Sequence, residues 1–212
     1  MVDEHEDPRI TRSRALILDA ARACFAERGF DETTVEDVAA RAGIAKRTIY
    51  NIYGDKESLF RAAIAVSMRT AEGFAEHFAE RIAQLDVLER DLPELARRLA
   101  RDVLTGPVIP LRALVARESA RFPDLAAEYF DRAPAAVMRA LADGFADLSR
   151  RGLLAIDDPV RAAGQFAYLV LGPELDRRMF EDRPRSAAAL ERDAVAAAEL
   201  FLRAYGVGSP VS

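Results

Sequence analysis

Apolar positions recur at helical spacing along most of the chain, and this pattern predicts an all-α protein. In the first predicted helix, about Thr11–Arg28, they form one stripe, made of Leu16, Ile17, Ala20, Ala21, Cys24 and Phe25. Gly29 follows where the helix must stop, because glycine tolerates the left-handed backbone that ends many helices. Phe30 is then expected to contact Phe25, as hydrophobic residues do on either side of such a stop.

A second and a third helix follow at once, joined by a short turn. Thr34 is a good N-cap, and Asp37 stands three residues later, where a capping box places an acidic partner. Gly43 supplies the positive φ that a sharp helix–helix turn requires. The inward apolar set of this predicted helix-turn-helix is Val38, Ala39, Ala42, Ile44, Ile49 and Ile52.

The remaining chain predicts six or seven further helices, about nine or ten in all. Prolines mark several starts, because proline suits the first helical turn. The predicted elements are about Asp55–Leu85, Pro93–Leu104, Pro107 or Pro110 to Arg121, Pro123–Tyr129, a helix opened or kinked at Pro134 and ending near Gly152, one from Pro159 interrupted at Gly172 and Pro173, and Ser186–Tyr205 closed by Gly206. We expect a three-helix bundle in residues 9–56 and a larger helical bundle in residues 57–212.

Composition narrows the function classes. One cysteine, Cys24, leaves no pair for an internal disulfide, and no apolar run approaches the roughly 18 residues of a membrane span. The acidic start Met1–Pro8 is unlike a basic leader and is expected to be a disordered tail in a cytoplasmic protein. Residues 9–56 hold nine Lys/Arg against seven Asp/Glu, although the whole chain has a formal charge of −5. Net charge therefore neither supports nor excludes a nucleic-acid partner.

The second helix of the predicted motif, about 46–53, has one face suited to a DNA major groove. At 100° per residue, Lys46, Arg47, Tyr50 and Asn51 cluster opposite Ile49 and Ile52. Arginine and lysine can donate to guanine, asparagine can pair with adenine, and tyrosine can reach a phosphate. Helix starts also bind phosphates, so the further candidates are Thr33, Thr34 and Lys56. Arg12 and Arg14 are either a DNA-contacting arm or solvated side chains.

The segment Thr34–Lys56 resembles the N-terminal signature of TetR-family transcriptional regulators. The matching residues are Thr34, Val35, Ala39, Ala42, Gly43, Thr48, Tyr50, Tyr53, Lys56 and Glu57. The resemblance adds Thr48 and Tyr53 to the candidate DNA contacts. Two positions depart from it, since Ala45 replaces a common serine cap and Ile52 replaces a common phosphate-contacting residue. Farther along, Arg117–Tyr129, Arg151–Leu154 and Asp157–Pro159 are similar to the AefR-like type of C-terminal domain.

The resemblance implies a homodimeric repressor that leaves a palindromic, double-stranded DNA operator when a small-molecule effector binds. Several large side chains in the second bundle either line a pocket for that effector or belong to the hydrophobic core. They are Met68, Phe74, His77, Phe78, Phe122, Met138 and Phe145. Apolar residues on the last two long helices either form the dimer interface or are buried within one subunit. They are Phe166, Leu169, Leu200, Phe201 and Tyr205. No cofactor or metal is expected.

Two other classes of function fit less well. An enzyme would need a catalytic set, but His5 and His77 are the only histidines, and no glycine-rich phosphate loop is present. His77 stands among Glu72, Glu76 and Glu80 without a metal-ligand spacing. A sequence-neutral architectural DNA binder would carry a strong positive charge, whereas residues 57–212 are slightly acidic.

Overall fold

The structure is a computed structural model that describes residues 8–181, 183 and 185–207. Within those ranges it contains ten α-helices and no strand longer than an isolated bridge between Leu154 and Gly206. The helices are α1 Pro8–Glu32, α2 Val35–Ala42, α3 Lys46–Tyr53, α4 Lys56–Ala83, α5 Leu88–Leu104, α6 Val108–Glu118, α7 Pro123–Arg132, α8 Pro134–Arg150, α9 Pro159–Phe180 and α10 Ala187–Tyr205. The all-α prediction is confirmed, while most of the acidic start, residues 1–7 with His5, lies outside the described residues.

The contacts divide the chain into two compact units, and the cut does not fall at residue 56. The first unit comprises Met1–Thr70 and Leu114–Glu128, and the second comprises Ala71–Ala113 and Tyr129–Ser212. This division by contacts groups residues 114–128 with the N-terminal helices, which periodicity within a helix cannot reveal. The boundary after residue 56 between a DNA-binding and a C-terminal domain stays a prediction.

The first unit is organised around four phenylalanine rings. Phe25 and Phe30 stack with centroids 6.1 Å apart, which confirms the contact expected across the helix stop at Gly29 (φ 81°). Phe60 of α4 and Phe122, just before α7, complete the cluster, with centroid distances of 5.0 Å from Phe60 to Phe25 and 5.1 Å from Phe122 to Phe30. Aromatic edge-to-face packing of this kind fixes the helices that carry the rings.

The second unit has a larger apolar core drawn from α4, α5, α8, α9 and α10. At its centre, Phe145, Phe166 and Phe201 pack against one another with centroids 5.0–5.5 Å apart. Each of the three side chains is at most 1% exposed. Burial of these rings accounts for much of the local stability, since a buried phenylalanine contributes about 1.5–3 kcal/mol.

Two prolines predicted to delimit helices lie inside them. α5 begins at Leu88, five residues before Pro93, because the Asp91 carboxylate accepts from the N–H groups of Asp86 and Val87 and so caps the earlier start. α9 continues through Pro173 to Phe180. Proline removes one helical hydrogen bond, but buried Val170 and Leu171 anchor the helix just before it, so tertiary packing outweighs the local cost.

Candidate nucleic-acid interface

The turn between α2 and α3 is built as the sequence predicts. Thr34 caps α2 by accepting from the Asp37 N–H at 3.1 Å, and the Asp37 carboxylate accepts from the Thr34 N–H at 2.9 Å. Gly43 ends α2 with φ 66° and ψ 31°, a left-handed conformation in which its N–H donates to the carbonyls of Ala39 and Ala40. These local bonds fix the direction in which the chain enters α3.

α3 presents one buried and one exposed face. Ile49 is 1% exposed and anchors the helix, while Tyr50 is 41% exposed and Arg47 and Asn51 are also exposed. We call the outer face formed by Lys46, Arg47, Tyr50 and Asn51 the reader face. Its groups are two cations, a phenol and an amide, which are the donors and acceptors that base edges and phosphates require.

The two further α3 candidates lie at the edge of this face. Thr48 and Tyr53 are both half-buried. The Tyr53 hydroxyl is buried and makes no hydrogen bond within the described residues, and burial raises the pKa of this phenol. Thr48 and Tyr53 therefore offer less surface to a partner than Arg47 or Asn51. Their contact with DNA stays a prediction.

Lys46 makes an ion pair across the turn. Its ammonium bonds to the carboxylate of Glu36 in the first turn of α2, and it also lies 5.4 Å from the centre of the Tyr50 ring. The hydrogen bond from Lys46 lowers the pKa of Glu36 and raises that of Lys46. This contact was not expected from the sequence, although the acidic first turn of α2 is visible there.

Two threonines expected to bind phosphate, Thr33 and Thr34, use their hydroxyls for hydrogen bonds within the protein. Thr33 is 0% exposed, and its hydroxyl donates to the carbonyls of Gly29 at 2.7 Å and Cys24 at 3.1 Å. Its side chain is therefore a clamp on the end of α1 and has no surface for a phosphate. Thr34 is exposed, but its hydroxyl both accepts from and donates to Asp37. The acidic residues Glu36 and Asp37 also occupy the positive end of α2, which disfavours an anion there.

Lys56 also differs from the expectation. Its ammonium donates to three backbone carbonyls, those of Phe30 at 2.9 Å, Thr33 at 3.0 Å and Asp31 at 3.3 Å. An ammonium has three N–H donors, so all of them are engaged, and the charge also lies 4.4 Å from the centre of the Phe30 ring. Lys56 thus ties the start of α4 to the end of α1, a structural role that competes with the phosphate contact; that contact stays a prediction.

A second group of contacts that stabilises the end of α1, besides those of Lys56, was not predicted from the sequence. Arg117 donates to the Phe25 carbonyl at 3.1 Å, and the Glu118 carboxylate accepts from the Phe30 N–H at 3.0 Å. Arg121 pairs with Asp31 and lies 4.5 Å from the centre of the Phe30 ring. The partners are about ninety residues apart in the chain, so periodicity could not reveal them; the charge-rich run Arg117–Arg121 was the available signal.

The predicted effector residues are not gathered at one place. Met68 and Phe122 belong to the first unit, where both are buried and Phe122 is part of the aromatic cluster. In the second unit, Phe145 lies in the ring core, and His77 is exposed with its Nδ1 2.7 Å from the Gly73 carbonyl. Of the predicted set, Phe78 is part of the core of the second unit, Phe74 stacks on it with ring centroids 5.6 Å apart, and Met138 is partly buried against the same core.

The predicted dimer residues also divide. Phe166 and Phe201 are 0% and 1% exposed within one subunit, so they have no surface to give to a seam. Tyr205 is half-buried, contacts Phe201 and bonds to Gln165. Leu169 and Leu200 are 42% and 48% exposed, and Tyr168, which precedes Leu169 in the sequence, is 63% exposed. We call Tyr168, Leu169 and Leu200 the C-terminal apolar surface.

Other site classes find no support in the part of the chain that the structure describes. There, no three His, Cys, Asp or Glu side chains are grouped to hold a metal ion, and Cys24 is a buried free thiol. None of the helices in the same ranges is long and apolar enough to cross a membrane.

With this geometry established, comparison with known proteins identifies the class. Residues 17–63 match the family described as bacterial regulatory proteins of the TetR family, and residues 90–207 match the AefR-like transcriptional repressor C-terminal domain. The second match covers more than half of the chain. The chain therefore belongs to the TetR family of DNA-binding transcriptional repressors, a class of regulators rather than enzymes.

Individual relatives agree with this placement. The repressor AcnR of Corynebacterium glutamicum is 31% identical over 121 residues, which are 57% of this chain and 58% of that protein. The alignment thus spans little more than half the length of that relative. A TetR-family regulator from Mesorhizobium loti superposes with a TM-score of 0.85 at 31% identity, covering 95% of this chain and 100% of that one. The flavonoid-responsive regulator FrrA superposes with a TM-score of 0.65 at 28% identity, covering 93% and 99%.

Proposed function

We propose that two copies of this chain bind a palindromic DNA operator through the reader face, and that a small-molecule effector bound in the second unit releases them. The observation that carries the proposal is the exposed outer side of α3, where Arg47, Tyr50 and Asn51 stand opposite buried Ile49. A face of this chemistry on a helix held by a tight turn is suited to a major groove. The protein acts in the cytoplasm, where bacterial DNA lies.

The C-terminal apolar surface supports the homodimer. Tyr168, Leu169 and Leu200 expose 42–63% of their surface on α9 and α10, which pack against each other. Exposed apolar residues on neighbouring helices are typical of partner interfaces, and cyclic dimers bury the same patch on both subunits. A two-fold dimer would place its two readers about 34–36 Å apart, one turn of DNA.

The proposed effector is a small apolar or aromatic compound held beside Phe74, Phe78 and Met138. Phe78 belongs to the core of the second unit, and Phe74 of the same helix α4 and Met138 of α8 are partly buried against it. FrrA, a neighbour above 25% identity, is named as responsive to flavonoids, and such planar aromatic compounds suit a phenylalanine and methionine lining. A thermal-shift screen of aromatic compounds should find one that raises Tm and lowers DNA affinity together; a compound that raises Tm while leaving DNA affinity unchanged would argue against release.

The reader is tested with a DNA duplex enriched by the protein from a random pool, which we call the selected duplex. Arg47→Ala and Tyr50→Ala should each weaken binding to it, and removal of a base-reading arginine costs about 1–3 kcal/mol, roughly five- to 150-fold. Arg22→Ala is the matched control, because Arg22 is an arginine of α1 in the same unit, with its side chain 38% exposed. The reader assignment is wrong if Arg47→Ala and Tyr50→Ala both bind as tightly as the parent.

A further inference from the structure

The contact between Lys46 and Glu36 joins the reader face to the helix before it. Lys46 is the first residue of α3, and Glu36 lies in the first turn of α2. Both side chains are exposed, 48% for Lys46 and 58% for Glu36. Exposed ion pairs are weak and are screened by salt, so this one can open without unfolding either helix.

The neighbouring charges of α2 are already paired. Asp37 bonds to Thr34 and lies 3.0 Å from Arg28, while Arg41 forms a bidentate contact with Glu27 at 2.7 and 2.8 Å. Glu36 is thus the acidic group of α2 that pairs with Lys46. A lysine at the start of a helix is disfavoured by the helix dipole, and the carboxylate offsets that cost.

DNA offers Lys46 hydrogen-bond acceptors that compete with the Glu36 carboxylate. Any duplex offers phosphates, whose attraction depends little on sequence, whereas guanine O6 and N7 are acceptors only where the sequence supplies them. The Glu36 carboxylate, which already accepts a hydrogen bond from this ammonium, competes with either acceptor for it. Its own negative charge also opposes a phosphate at that place.

We infer that Glu36 is a specificity-determining residue, which holds Lys46 away from non-specific phosphates and releases it only on a duplex with a better acceptor. This inference rests on the proposed reader face. On random DNA, Lys46 stays paired with Glu36 and contributes little. On the selected duplex, Lys46 leaves the carboxylate for its contact, so the two kinds of duplex differ in how many cations they engage.

The test measures affinity for the selected duplex and for a scrambled duplex of equal composition, each across a series of salt concentrations. The proteins are the parent, Glu36→Gln, Lys46→Ala, the double variant, and Glu27→Gln. Glutamine keeps the size and helix propensity of glutamate. Glu27→Gln is the matched control, because Glu27 is 52% exposed and pairs with a cation, Arg41, that lies outside the reader face.

Glu36→Gln should bind the scrambled duplex up to about five-fold more tightly, the range of one exposed ion pair, and the selected duplex less than two-fold more tightly. For the scrambled duplex, the slope of log binding constant against log salt concentration should steepen by about 0.9 in Glu36→Gln. This is the value for one additional phosphate contact. When Lys46→Ala is also present, the increase in affinity for the scrambled duplex that Glu36→Gln causes should fall to the increase caused by Glu27→Gln.

Two results would overturn the inference. One is an equal change on both duplexes that also persists without Lys46, since Glu36 would then act only through general charge. The other is weaker binding of Glu36→Gln to the selected duplex, because Glu36 would then position Lys46 for contact. Failure of the proposed reader is seen separately, as Lys46→Ala, Arg47→Ala and Tyr50→Ala all binding the selected duplex with parental affinity.

Discussion

The reader face and the C-terminal apolar surface both expose large side chains, but their chemistry is opposite. The first carries Lys46, Arg47, Tyr50 and Asn51, and the second carries Tyr168, Leu169 and Leu200. Charged and polar groups associate with a polyanion through contacts that salt weakens, whereas apolar groups associate through removal of area from water. The difference fits the two partners that we propose, DNA for the reader face and a second copy for the apolar surface.

The largest expected effect comes from placing charge on the apolar surface. The double substitution Leu169→Glu with Leu200→Glu should convert the dimer to monomers, because a two-fold seam brings like charges together. Affinity for the selected duplex should fall at least about 100-fold, since one reader is lost per DNA site. Sedimentation gives the mass, and circular dichroism checks that the helices persist.

Val87→Glu is the matched control for that experiment. Val87 is 45% exposed in the second unit but precedes α5 and lies outside α9 and α10. It should leave both mass and affinity unchanged. A parent protein that is monomeric, or a double variant that stays dimeric, would contradict the assignment of the apolar surface.

Lys56→Met tests whether Lys56, which lies outside the reader face, stabilises the fold or contacts a DNA phosphate. Methionine keeps the length of the side chain but leaves the carbonyls of Phe30, Asp31 and Thr33 without their donor. We expect a loss of about 1–3 kcal/mol in the free energy of unfolding, measured with urea. The salt slope of DNA binding should be unchanged; a slope about 0.9 shallower with unaltered stability would restore Lys56 as a phosphate contact.

These corrections show which kinds of information the sequence carries. Thr34 with Asp37, and Gly43 with its turn, act through neighbours within four residues, so their roles could be predicted from spacing. Thr33 and Lys56 are used by carbonyls of α1, and no local pattern distinguishes an inward-pointing polar side chain from one that faces DNA. The rings of Phe145, Phe166 and Phe201 were likewise recognisable as large and apolar, but their mutual burial depends on three separate helices. Pro173 shows the same limit, since helix packing outweighed a local stop signal there.

A smaller effect tests the turn that orients the reader. Gly43→Ala has space for the added methyl group, but φ of 66° strains an alanine, so we expect a loss of about 1 kcal/mol in unfolding free energy. Gly73→Ala is the matched control within α4, where the added group meets no atom within 4 Å beyond its chain neighbours and its own helix backbone, and alanine should stabilise by up to about 1 kcal/mol. Urea denaturation of both variants measures the difference. Equal effects would contradict the requirement for a left-handed residue at Gly43.

The smallest effect concerns Asp91, the carboxylate that caps the start of α5. The hydrogen bond from Arg90 and those from the N–H groups of Asp86 and Val87 lower the pKa of Asp91 from 3.8 to about 2. Because the folded pKa is the lower one, Asp91 contributes stability above the unfolded value that is lost as pH falls toward 2. The difference in urea midpoint between the parent and Asp91→Asn should therefore shrink from pH 5 to pH 2. A constant difference would contradict the capping role of Asp91.

The central claim is that α3 reads DNA as one half of a symmetric pair. The most direct measurement is selection of bound sequences from a random pool, followed by determination of how many copies of the chain occupy one enriched duplex. The account predicts an enriched inverted repeat with half-site centres about 10 base pairs apart, or a multiple of that spacing, and at least two chains per duplex. Enrichment of no sequence, or of a single half-site bound by one chain, would contradict it.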